Sequence, residues 1–113
     1  MLEERPSFKR DNLFGGMGTV EIWDLLGQRQ ADPFTAVLWC RLEPDGNVGR
    51  HQQSTEHEIL VCLSGRGQAA VDQKHFPLSP GEMVYLPLGA ILALDNLSSD
   101  HDLSYLIIKG KAD

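Results

Sequence analysis

GNVGRHQQSTEHEILVCLSG at Gly46–Gly65 and GEMVYLPLGAILALDN at Gly81–Asn96 are the two stretches whose reading decides the fold. In the first, Glu58–Leu63 (EILVCL) is a strand-like apolar run, closed by the turn residues Ser64-Gly65-Arg66-Gly67. In the second, Met83–Leu86 and Ile91–Leu94 are strand-like runs joined by Pro87-Leu88-Gly89. A proline that presets φ at a first corner and a glycine suited to the second point to a type II turn there. The first stretch therefore reads as a strand running into a tight turn, and the second as strand, tight turn, strand.

Outward from this centre the same alternation continues. Thr19–Leu25, Phe34–Leu42, Gln68–Asp72 and Leu103–Ile108 have the β-branched, aromatic and apolar content of strands. Pro44-Asp45-Gly46, Asp72-Gln73-Lys74 and Ser79-Pro80-Gly81 punctuate them. Helical periodicity is scarce beyond residue 30, and no repeat or low-complexity segment interrupts the pattern. Many short strands at even spacing imply an all-β sandwich or barrel. Residues 1–18 read as a polar arm or short edge strand, 19–110 as the single domain and 111–113 as a tail.

The totals narrow the function classes. A chain of 113 residues fits one domain, and 42% hydrophobic with 23% charged residues is an ordinary globular balance. A formal net charge of −6 is the wrong sign for nucleic acid or for a polybasic membrane contact. The N-terminal residues Met1–Pro6 are charged and lack a signal-peptide apolar run, and no apolar stretch approaches a membrane span. A cytoplasmic protein is expected, with Cys40 and Cys62 as buried, reduced thiols.

The two stretches resemble the paired motifs of the cupin family. Gly46, His51, Glu58 and Gly65 stand at positions of the first motif, and Gly81, Pro87, Gly89 and Asn96 at positions of the second. Gln53 and Leu92 occupy the places of two of the family's histidines. The resemblance implies a single-domain cupin jelly-roll β-barrel of two packed antiparallel sheets, and commonly a homodimer that exchanges an N-terminal strand. Thr19–Leu25 is the segment suited to that exchange.

In metal-binding cupins three histidines and the glutamate point into the barrel and hold a transition metal. Here the set becomes His51, Gln53, Glu58 and Leu92. A neutral amide is a poor ligand and leucine supplies no donor, so no cofactor is expected, short of a divalent transition metal held weakly by His51, Gln53 and Glu58. His57 does not compensate, because adjacent strand residues point to opposite faces. His51 is read as a polar pocket residue bonded to Glu58 or Gln53. The sharper alternative is a His51–Glu58 catalytic dyad, such as the histidine–carboxylate pairs of some metal-free cupin epimerases. Tyr85 and Trp39 are further candidates for the pocket wall, and His75 and His101 read as solvated surface residues.

The expected function is binding of an unidentified small molecule in a pocket lined by His51, Gln53, Glu58 and Leu92. Two rival readings stand beside it. One is an enzyme, either a metal-dependent oxygenase or isomerase with variant ligands or a metal-free isomerase using the His51–Glu58 pair. The other is a sensory or accessory module acting through a protein partner.

Overall fold

Apolar and β-branched runs favour a pleated backbone, and turn residues end each run before it lengthens. In the computed structural model, which describes residues 2–112, the result is an all-β chain in two antiparallel sheets. Met1 and Asp113, the outer ends of the expected arm and tail, lie outside the described residues.

The larger sheet begins with β1 (Phe8–Asp11), β2 (Thr19–Asp24) and β3 (Phe34–Leu42) side by side. It continues through β10 (Leu103–Lys111) and β5 (Glu56–Ser64) to the edge strand β8 (Met83–Leu86). The smaller sheet is ordered β4 (Asn47–Gln52), β9 (Ile91–Asn96), β6 (Gly67–Val71) and β7 (Lys74–Leu78). Strands β4 and β7 were not anticipated. NVGRHQ carries a single aliphatic residue, and KHFPL contains a proline, which a sheet tolerates at an edge such as the one β7 occupies.

Period-two alternation fills the barrel. Glu58, Leu60 and Cys62 of β5 are buried, and so are Leu103, Tyr105 and Ile107 of β10. Their neighbours Ile59, Val61, Leu106 and Ile108 are half-buried on the outer face. Leu42, Leu60, Leu92, Leu94 and Leu103 are almost wholly enclosed. Each such side chain contributes about 1.5–3 kcal/mol relative to exposure. Cys40 and Cys62 are buried free thiols.

The motif positions have local explanations. The Ala90 N–H donates to the Pro87 carbonyl at 3.0 Å, so Leu88 and Gly89 are the two corners and Pro87 precedes the first. Gly89 has a φ of 90°, a region that glycine enters without a Cβ penalty. Asn96 is buried, and its amide donates to the carbonyls of Leu42, Glu43 and His101 at 3.1, 3.0 and 2.9 Å. It thereby ties the end of β9 to two neighbouring segments.

The first residues do more than trail. β1 is a fully exposed edge strand beside β2, and the following 3-10 turn, Leu13–Gly15, crosses to β4. A Cβ at Gly49 would collide with the Phe14 carbonyl oxygen, so glycine is what lets the turn lie directly on the strand. β2 itself sits between β1 and β3 of its own sheet, and the free edge is β1 rather than the Thr19–Leu25 segment.

Candidate functional site

The barrel holds a partly open cavity of about 220 Å³ whose wall includes His51, Gln53, Glu58 and Leu92 together. His51 reaches it through an irregularity. Val48 pairs with Leu94 across β4 and β9, and His51 pairs with Leu92, so β4 has one residue more than β9 between the two pairs. Strict alternation from inward Val48 would turn His51 outward; the extra residue reverses it, as β-bulges do.

Glu58 comes from β5, directly opposite Lys109 of β10 in the ladder. Lys109 Nζ lies 4.0 Å from Glu58 Oε1, and the glutamate side chain is only 2% exposed. Loss of water around the carboxylate pushes its pKa up to about 7, against the opposing pull of the Lys109 charge, while Glu56 adds to the rise.

His51 does not form the expected bond to Glu58 or Gln53. Its Nδ1–H donates to the Gly49 carbonyl at 3.0 Å, and its ring is stacked under Phe14 with centroids 3.9 Å apart at 10°. Burial lowers its pKa, so the neutral ring is favoured and Nε2 is left as an acceptor. Among the described residues no bond links His51 to Glu58, and a preformed dyad is absent from this arrangement.

Two expected wall residues lie elsewhere. Tyr85 is 51% exposed on the outer face of β8, where its hydroxyl meets His57 Nδ1 at 3.1 Å. Trp39 points away from the barrel interior because its neighbour Cys40 takes the inward position. It stacks on Trp23 at 4.4 Å, donates to Ser104 Oγ, and lines an open depression outside the barrel with Arg41 and Asp102. His75 and His101 are exposed.

The cavity wall also contains residues that sequence reasoning missed. Lys109 continues the inward series Leu103, Tyr105, Ile107 by one more step of two, a signal lost when the strand was ended at Ile108. Tyr105 and Cys40 are direct partners across the β10–β3 ladder on the same wall. Burial and the Glu58 charge push the Cys40 pKa up to about 12, which holds it as an unreactive thiol. Phe14 enters from the N-terminal turn, which no local pattern assigns to the barrel.

Residues 38–109 match the family described as Cupin domain. The chain belongs to the cupin family. A solved cupin-fold structure from Thermotoga maritima, described as a predicted oxalate decarboxylase, has a TM-score of 0.91 at 25% identity, covering 99% of this chain and 97% of that one. A Cupin 2 conserved barrel domain protein from Salinispora arenicola has a TM-score of 0.71 at 26% identity, over 82% and 76% of the two chains. The Cnp3 cupin domain of Schizosaccharomyces pombe has a TM-score of 0.78 at 10% identity, over 99% and 72%, a likeness of fold alone. No curated protein matches the chain. No helix among the described residues is long and apolar enough to cross a membrane.

This cupin's donor set does not fit a transition metal. Leu92, directly opposite His51, is 1% exposed and supplies no ligand atom. Glu58 faces a cation, Lys109, where a metal would stand as a second positive charge. No three His, Cys, Asp or Glu side chains cluster among the described residues. A catalytic site needs three or more such donors around an open position.

Proposed function

We propose that this cupin binds a small, largely apolar organic molecule in its barrel cavity. The observation that carries the reading is the shape and chemistry of the wall. Leu13, Val20, Ile22, Leu38, Leu94 and Ile107 present an apolar surface, and His51, Gln53, Glu58 and Lys109 supply the polar groups. A concave, mostly apolar pocket with a few polar groups is the usual form of a ligand site. Its volume of about 220 Å³ falls below the ~300–1,000 Å³ of drug-sized pockets, so the ligand is a compact one.

Oxalate, suggested by the description of the Thermotoga maritima protein, suits this wall poorly. It is a small dianion, and the cation here already faces a carboxylate. A two-dimensional NMR titration with compact fragments, oxalate included, tests the reading. Expected are shifts concentrated at His51, Glu58, Leu92 and Lys109, abolished when Leu94→Trp fills the cavity. Shifts confined to the outer face of the larger sheet would instead favour a protein-partner module.

A further inference from the structure

Glu58 and Lys109 are the single acid and the single amine among the described residues lining the cavity. When Glu58 is ionised the two neutralise one another, yet their 4.0 Å separation is longer than the ~2.7–2.9 Å of a charge-assisted hydrogen bond. The pair is therefore close enough to cancel in charge and far enough apart to leave a donor and an acceptor unsatisfied by each other. A ligand of net charge would add an uncompensated charge against a largely apolar wall, which is unfavourable. A neutral ligand carrying an acceptor beside a donor meets both groups.

An amide has that form. With C=O and C–N bonds of ~1.23 and ~1.33 Å, its oxygen and nitrogen lie about 2.3 Å apart on one edge. Placed against a 4.0 Å base, that edge closes a trapezoid whose two legs are ordinary hydrogen bonds of ~2.9 Å. The oxygen accepts from Lys109 Nζ and the N–H donates to the Glu58 carboxylate. We propose that the cavity recognises small uncharged amides, such as a primary carboxamide or a lactam, through a bridge between Lys109 and Glu58 with the apolar part against Ile22, Leu38 and Ile107. The proposal rests on the cavity-binding reading above and names its ligand class. A carboxylate lacks the donor, an ammonium lacks the acceptor, and a metal-held anion has no counterpart here.

The test is calorimetric titration at about pH 8.5, where Glu58 is ionised, with benzamide, benzoate and benzylamine as probes of similar size and 2-pyrrolidinone as a smaller amide. Expected is binding of the two amides about tenfold or more tighter than benzoate or benzylamine. Glu58→Gln leaves Lys109 as an unbalanced cation, so in that variant the order inverts and benzoate overtakes benzamide. An inversion cannot come from mere loss of packing. Benzoate or benzylamine matching benzamide in the parent protein overturns the amide class while leaving cavity binding intact. Silence from all four probes, in parent and variant alike, overturns both.

Discussion

His51 and Leu92 are direct partners across the β4–β9 ladder, so an imidazole and an isobutyl group face each other where the family's metal site would have two imidazoles. The frame around them is otherwise retained. The bulge that turns His51 inward, the Pro87–Ala90 turn and the Asn96 clamp are all in place. What is lost is donor atoms, not geometry.

Leu92→His combined with Gln53→His should therefore restore transition-metal binding, giving three imidazoles and a carboxylate on an existing scaffold. Nickel or zinc affinity by titration calorimetry is expected to rise about tenfold or more over the parent. Equal affinity in the two proteins would mean that these four positions do not converge on one metal position.

How much of this was legible in the sequence varies residue by residue. Strands β3, β5, β8 and β9 declared themselves because their apolar content sits between turn residues with a mechanism. Glu58 could be placed inward by counting, since β5 alternates without interruption past it. His51 could not: period-two counting from Val48 gives the wrong face, and only the family spacing put it right. At the bulge the Leu13–Gly15 turn lies against Gly49, a contact between segments over thirty residues apart. Tyr85 and Trp39 failed as wall residues because an aromatic in a strand has two faces to choose from. Their strands place them outward, against His57 and Trp23.

Glu58 makes stability pH-dependent in a predictable direction. Its folded pKa of about 7 lies above its ordinary 4.5, so the folded state binds a proton that the unfolded chain has released. The associated stability is fully present below about pH 4.5 and is lost as pH rises through about 7, amounting to about 3 kcal/mol. His51, whose pKa is lowered, acts in the opposite sense, losing stability as pH falls through its unfolded value of 6.5. Glu58→Gln removes the first contribution only. Urea denaturation of parent and variant between these limits should show the variant gaining relative to the parent as pH rises. Parallel curves would place Glu58 in contact with water.

Phe14 shields His51. Its ring lies flat on the imidazole from a turn held at φ 53°, a conformation that bulky residues seldom adopt. Phe14→Ala exposes the imidazole to water and should raise the His51 pKa toward its ordinary 6.5, read from the histidine ring-proton shifts in an NMR titration. An unchanged titration would show that the barrel wall, not the N-terminal turn, excludes water from His51.

The protein is expected to be a homodimer built on the outer face of its larger sheet. Ile59 and Val61 of β5 and Leu106 and Ile108 of β10 form a half-buried apolar strip at the centre of that face. Leu63, Met83 and Tyr85 extend it at 43%, 57% and 51% exposure. An apolar surface of this continuity, beside the open edge of β8, calls for cover. The N-terminal arm does not supply it, because β1 runs along the opposite edge of the sheet and the following turn crosses to β4. A second copy would supply it, and a symmetric pair needs only about 800 Å² from each partner. Light scattering at micromolar concentration should then give twice the mass of one chain. Val61→Glu, which sets like charges against each other across the two-fold axis, should halve it while the folded spectrum persists. A parent protein with the mass of one chain overturns the dimer.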